Sequence, residues 1–230
     1  EYALYSIQRA ITAKNKKKKK KEIGKITPTT FGRDGLKPRK TRFSNGSKKI
    51  SSDEQIRETS LDALSKLPTV FSEVGVLTAG NCSGIVDGAG AVIVANKSFA
   101  QEKGTKPLTK ILASASCGID PKIMGLAPVP AIRLLLEMTG LKVDDIGLFE
   151  INEAFSAQII GCERELNLDR NKLNINGGAI AIGHPLAATG IRLSLSLSRE
   201  MNNRKVKYGI ASACIGGGQG TAILFENINL

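Results

Sequence analysis

The chain holds one histidine, four cysteines and 24 glycines in 230 residues, and three short stretches place such residues where they could do chemistry. His184, the sole histidine, lies in a loop reading Gly183-His184-Pro185. Cys214 opens a glycine-rich run, Cys214-Ile215-Gly216-Gly217-Gly218-Gln219-Gly220, and Asn152 opens Asn152-Glu153-Ala154-Phe155. An imidazole exchanges protons near neutral pH. A thiol serves as nucleophile or as acid and base, more readily when a neighbour stabilises its anion. Glycines after Cys214 let backbone N–H groups approach a ligand oxygen, as in an oxyanion hole, while Asn152 has the chemistry to hold a water or donate to a carbonyl. Together these types fit an acid–base site for acyl chemistry. The plainer readings are a surface turn at His184, core packing for Cys82, Cys117 and Cys162, and a tight turn at the glycines. A phosphate loop is excluded, because G-x-x-x-x-G-K-[ST] is absent.

Each of the three stretches follows an apolar run. The pattern predicts strands at Ile146–Ile151, Leu173–Ile175 and Tyr208–Cys214, and a final strand at Thr221–Phe225. Helices are expected at Pro130–Thr139 (ended by Gly140), Ala154–Leu166 and Ala188–Asn202. Upstream, Gly75–Leu77, Ala91–Ala95 and Pro107–Ala113 read as buried strands, with a helix at Lys97–Lys103. Alternating strand and helix with near-continuous apolar strands means an α/β layered domain whose sheet is covered on both faces. Ligands in such sheets bind beyond the carboxyl ends of the strands, where all three stretches fall. At the front, Leu4, Ile7 and Ile11 with Ala3 and Ala10 give helical spacing through Ala13. Ser60 caps a short helix that Pro68 stops. Residues 23–50 read as an irregular, exposed excursion.

The composition is that of a globular protein, with 41% hydrophobic and 23% charged residues, and no apolar run approaches the roughly 20 residues a bilayer requires. Aromatics are only 4%, without Trp, which argues against single-strand nucleic-acid binding by stacking. The net charge of +12 is concentrated in residues 1–70, which carry 18 Lys+Arg against 7 Asp+Glu, whereas residues 71–230 carry 15 against 14. Lys16 to Lys21 is an unbroken lysine run, read as a solvated insertion or as a contact to anionic phosphates or a membrane surface. No cysteine stands in a C-x-x-C pair, so neither zinc nor a disulfide framework is implied, and the thiols read as free in a reducing compartment. The chain opens on Glu1 rather than Met, without a signal sequence. Either a segment has been processed away or this is part of a longer protein.

The three stretches, taken as Asn152 to Phe155, Asn176-Gly177-Gly178-Ala179-Ile180-Ala181-Ile182-Gly183-His184-Pro185 and Cys214 to Gly220, resemble the signature segments of the thiolases. Upstream, Gly80-Asn81-Cys82-Ser83-Gly84-Ile85-Val86-Asp87-Gly88-Ala89 and the Gly118 to Pro130 stretch resemble the family as well. The resemblance runs from about Leu77 to the C-terminus, and more loosely over residues 1–70. It implies an α/β, thiolase-like layered α-β-α fold, with a complete C-terminal half and a remnant of the N-terminal half and loop domain. The expected divisions are 1–73 (basic loop-domain remnant), 74–104 (end of the N-terminal half) and 105–230 (C-terminal half).

The resemblance also implies roles. Cys214 becomes the acid/base that protonates the departing acetyl-CoA carbanion, and His184 activates the family's nucleophilic cysteine. Asn152 positions a water in the first oxyanion hole, and the Gly216 N–H belongs to the second. Ser83, Ala79, Met124 and Phe155 line the CoA pantetheine tunnel, with Arg57 a weaker match for the CoA nucleotide. The implied reaction is thiolytic cleavage of 3-ketoacyl-CoA or its reversal, with coenzyme A as substrate, no cofactor and no metal. A homodimer or homotetramer is implied, and the wording around Val86 to Gly90 resembles mitochondrial 3-ketoacyl-CoA thiolases, hence the mitochondrial matrix. The family's nucleophilic cysteine lies in an N-terminal half upstream of this chain, and Cys82 matches a different segment. The chain by itself is therefore expected to be inactive. The alternative is a non-catalytic CoA-binding or structural subunit of a larger assembly. Two departures follow His184: Ala187 stands where relatives have Gly, and Thr189 where they have Ser. At a positive φ, Ala187 would cost on the order of 1 kcal/mol and tilt the loop.

Overall fold

The computed structural model describes residues 1–16 and 55–230. The lysine run beyond Lys16 and the 23–50 excursion lie outside the described residues. Four strands form one mixed sheet in the order β1-β4-β3-β2, with β1 Lys110–Gly118, β2 Leu148–Ile151, β3 Tyr208–Ile215 and β4 Gln219–Glu226. β2 and β3 run parallel, so both end at the same edge, while β4 is antiparallel to β3 and β1.

Strand alternation distributes the side chains to two faces. Phe149 and Ile151 of β2 enter a core with Ile132 and Leu135 of α4 (Pro128–Thr139) and Ile159 of α5 (Ser156–Leu166). Leu148 points the other way, into a core with Leu193, Leu197 and Met201 of α7 (Thr189–Arg204). Those three residues recur every four positions, which puts one apolar stripe on the sheet. The result is the expected α-β-α layering. α4 begins on Pro128, whose fixed φ suits a first helical turn, and ends on Gly140 in the left-handed region at φ 68°.

α1 (Tyr2–Asn15) packs on α6 (Ala179–Ile182) and α5, and Tyr2 at its start joins the core that holds Phe149 and Ile151. Its buried residues are Tyr2, Ala3, Ser6, Ile7, Ala10 and Ala13; Leu4 and Ile11, counted in the apolar stripe, are only half-buried. The approach is close enough to require glycine at 177. A Cβ there would lie 2.4 Å from the Ser6 carbonyl oxygen, at a φ of +73°. α2 (Leu61–Ser65) is capped by Ser60, whose hydroxyl accepts from the Ala63 N–H, and α3 (Lys97–Glu102) by Asn96.

Three predicted strands are corrected. Gly75–Leu77 is not a strand; Val76 is exposed, and only an isolated bridge, Thr69 to Thr78, forms nearby. Ala91–Ala95 is neither buried nor paired: Ile93 is 95% exposed and Val94 72%. Its continuous apolar run suits a strand covered on both faces, but no described strand lies beside it. Leu173–Ile175 keeps only an isolated bridge from Leu173 to Phe149, because Asn174 takes φ 45°, which ends extended backbone. The Asn174 side chain completes the edge instead, accepting from the Ile151 N–H at 2.9 Å and donating to the Ile151 carbonyl at 2.9 Å. The strand expected at Pro107–Ala113 begins at Lys110, runs to Gly118, and is a largely exposed edge.

Candidate active site

The parallel pairing of β2 and β3 brings two of the sequence-chosen residues to one edge. Ile151 stands opposite Ser212, and the Asn152 N–H extends the ladder by donating to the Ser212 carbonyl at 2.9 Å. Cys214 follows two residues later on β3. Asn152 is fully buried, yet neither its Oδ1 nor its Nδ2 meets a partner among the described residues. Buried amides are normally satisfied, so this one is equipped for a water or a ligand oxygen. Cys214 packs with Ala127 and Ala154, against Ile119, Met124 and Phe155. Burial pushes its thiol above the ordinary 9.0, so at neutral pH it holds its proton.

His184 is reached through a third segment. Its N–H donates to the Gly84 carbonyl at 2.8 Å, and Ile85 bridges to it in parallel. The same segment holds the Asn152 loop: Ser83 N–H donates to Ala154 carbonyl at 3.0 Å, Ser156 N–H to Asn81 carbonyl at 2.9 Å, and Cys82 bridges Phe155. Residues 81–85 therefore stitch the Asn152 loop to the His184 loop. Gly183, at φ +86°, accommodates Val86, whose side chain a Cβ would meet at 2.4 Å.

The His184 ring is held by Thr189 at the start of α7, with Nδ1 2.6 Å from Oγ1; Oγ1 also lies 3.1 Å from the Pro185 carbonyl. That hydroxyl has one hydrogen to give. Given to Pro185, it leaves Nδ1–H donating to Thr189 and a bare Nε2 that accepts a proton. Given to Nδ1, it leaves Nε2–H, able to donate to a substrate oxygen. Each neutral tautomer is thus satisfied by one rotamer of one hydroxyl. The imidazole is shifted below its ordinary 6.5, first by desolvation and then by the Arg192 charge.

Behind the loops lies a buried carboxylate. Glu153 Oε1 accepts from Tyr2 Oη and Asn174 Nδ2, both at 3.0 Å. Its Oε2 accepts from Ser6 Oγ at 2.7 Å and the Ile180 N–H at 3.1 Å. Ser6 Oγ in turn accepts from the Gly178 N–H at 3.1 Å. Three segments thus converge on one side chain, and position 178 must be Gly because a Cβ would sit 2.4 Å from the carboxyl carbon.

The remaining sequence-chosen residues divide. Ser83, Met124 and Phe155 are half-buried beside the Asn152 loop, with Phe155 edge-on to Phe71. Ala79 is exposed in the turn before Asn81, and Gly216 is exposed in the β3–β4 hairpin, where its carbonyl accepts from Gln219 Nε2. Arg57 is exposed. Ala187 does not occupy positive φ, so the strain considered for it is not there. Cys162 is buried, its thiol raised to about 12 chiefly by desolvation, while Cys82 and Cys117 are half-buried. Sequence reasoning assigned no role to Glu153 and Arg192. A charged residue two positions after a buried strand was the available signal for the first, and its position three residues beyond Thr189 on one helix for the second. Among the described residues, no three His, Cys, Asp or Glu side chains gather to hold a metal, and no helix is long and apolar enough to cross a membrane.

Comparison with known proteins gives the family. Residues 105–227 match the family model "Thiolase, C-terminal domain" and residues 1–98 match "Thiolase, N-terminal domain". The chain belongs to the thiolase family. It is 47% identical over 193 residues to the mitochondrial 3-ketoacyl-CoA thiolase of Bos taurus, covering 84% of this chain and 49% of that one. To the 3-ketoacyl-CoA thiolase of Bacillus subtilis it is 45% identical over 228 residues, covering 98% and 57%. The fold is similar to that of the crystal structure of human mitochondrial 3-ketoacyl-CoA thiolase, with a TM-score of 0.88 at 42% identity, covering 99% of this chain and 54% of that one. The chain spans about half the length of the curated relatives it matches.

Proposed function

We propose that this chain carries the acid–base part of a thiolase site acting on CoA thioesters. In the condensing direction the thiolate form of Cys214, its own proton lost to water, takes a proton from the methyl group of acetyl-CoA. The electron pair left on carbon delocalises onto the thioester oxygen, where His184 Nε2–H and a water on Asn152 hold the charge. In the cleaving direction the Cys214 thiol returns that proton to the departing carbanion. A buried, protonated thiol suits the second role directly. Ser83, Met124 and Phe155 flank the pantetheine arm, and Gly216 lends its N–H to the acyl oxygen. Relatives named as mitochondrial 3-ketoacyl-CoA thiolases support a matrix location and β-oxidation chemistry. We assign none of the four cysteines as the nucleophile, and the chain as given is expected not to cleave acetoacetyl-CoA.

The observation that carries this reading is the fully buried Asn152, its amide without a partner among the described residues, at the tip of the strand beside Cys214. The test is deuterium exchange from solvent into the methyl group of acetyl-CoA, which needs the acid and base but no acyl-enzyme. Wild-type chain is expected to catalyse it, Cys214→Ala to abolish it, and His184→Gln to slow it by about 10²-fold. No exchange above the solvent rate overturns the proposal. Acetoacetyl-CoA cleavage that disappears in Cys82→Ala overturns the exclusion of Cys82. The apolar Ala91–Ala95 segment, exposed and unpaired, favours a second reading as a subunit that docks on another thiolase body; CoA binding without any exchange would select it.

A further inference from the structure

The first turn of α7 carries a cation without a counter-ion among the described residues. All three guanidinium nitrogens of Arg192 are out of solvent, and none meets a hydrogen-bond acceptor there. No acidic residue occupies that turn. A guanidinium ordinarily satisfies several of its five donors, and a cation near a helix N-terminus adds to the positive end of the dipole. Arg192 therefore sits where neither its hydrogen bonding nor the helix field favours it, which calls for another reason.

That reason lies three residues earlier. Thr189 and Arg192 share one face of α7 at i, i+3 spacing, and Thr189 holds the His184 ring. The groups facing that ring carry no compensating negative charge on it. The 82–88 segment meets His184 through the Gly84 carbonyl; Asp87 there is exposed, and Cys82 is a half-buried thiol whose ionisation burial disfavours. Against the 176–183 loop lies the Glu153 carboxylate, and both of its oxygens are taken by four donors. The Arg192 guanidinium, three residues along the helix from the Thr189 that holds the ring, is out of solvent and has no hydrogen-bonded partner among the described residues.

We propose that Arg192 is a positioning residue acting through His184: its buried, uncompensated charge denies the ring a second proton and holds it in a neutral tautomer. The neutral ring is the form that both accepts a proton and donates one, each tautomer being matched by a rotamer of Thr189. An imidazolium would accept nothing. The functional value of this rests on the acyl-transfer reading above, but the placement of the charge does not. The lowered proton affinity of His184, with the Arg192 charge second to desolvation among its causes, agrees with it.

The chain's single histidine makes the test direct, because one ring resonance reports one site. His184 is titrated by NMR in the wild-type chain, in Arg192→Met and in Arg192→Lys, with folding of each checked by circular dichroism. The wild-type midpoint is expected below 6.5, the Met variant to move up towards that value, and the Lys variant to stay near wild type. A wild-type midpoint at or above 6.5, or a folded Met variant with an unmoved midpoint, overturns the proposal. Where Met prevents folding, Arg192→Gln takes its place under the same criterion. Failure of methyl exchange in acetyl-CoA leaves this titration standing, and an unmoved midpoint leaves the exchange assay standing, so the two readings fail separately.

Discussion

At the scale of single residues, the site depends on groups whose partners are unusually few or unusually particular in kind. Thr189 is one: its hydroxyl is the group that satisfies Nδ1 of His184. Thr189→Val keeps the shape and removes both hydrogen-bonding options. It is expected to slow methyl exchange in acetyl-CoA about tenfold, as the loss of one hydrogen bond of about 1.4 kcal/mol implies, and to change the ring nitrogen shifts that report the tautomer. His184 also couples stability to pH. Its folded-state proton affinity lies below the ordinary 6.5, so between the two values the unfolded chain binds more protons than the folded one. Stability is therefore expected to fall as pH drops through 6.5, and the slope of the urea midpoint against pH should flatten in His184→Gln. An unchanged slope in that variant would remove His184 as its source.

At the scale of elements, the hub is Glu153. It ties α1, the tip of β2, the Asn174 turn and the start of α6 together with four hydrogen bonds, and it is fully buried. Glu153→Ala leaves those donors without an acceptor and is expected to cost about 3 kcal/mol in urea unfolding, more than a surface carboxylate would. Gly178→Ala attacks the same point from the other side, since the new methyl would press on the Glu153 carboxyl; about 2 kcal/mol is expected from overpacking. If the two substitutions combined cost much less than their sum, they share one mechanism, as contact between them requires. Retained wild-type stability in Glu153→Ala would show that the hub is not what holds α1.

At the scale of the whole molecule, the exposed run from Ala91 to Ala95 stands apart. Ile93 and Val94 present apolar side chains to solvent with no described strand beside them, the kind of edge that pairs with other chains. Ile93→Lys is expected to leave the thermal midpoint within about 1 °C, because no packing is lost, while reducing concentration-dependent association in light scattering. A large drop in the midpoint would mean that the side chain is packed after all.

The elements were legible wherever local chemistry decides them. The helical spacing of Leu193, Leu197 and Met201, the Ser60 cap and the Gly140 stop each act within a turn or two, so the order of residues is enough to reveal them. The three loops were legible as chemistry from residue types, and as a family from their wording. Ala91–Ala95 and Leu173–Ile175 depart from their apolar pattern for one reason: a strand exists only with a neighbour, and neighbours are chosen across long stretches of chain. The same long-range choice decided what no local pattern encodes. Residues 81–85 join the Asn152 and His184 loops, Tyr2 and Ser6 reach Glu153 across about 150 residues, and the Arg192 guanidinium lies out of solvent without a hydrogen-bonded partner among the described residues. Residue types and their order determined which groups were available; the solvent removed from around them, and the partners brought to them or withheld, came only with tertiary packing.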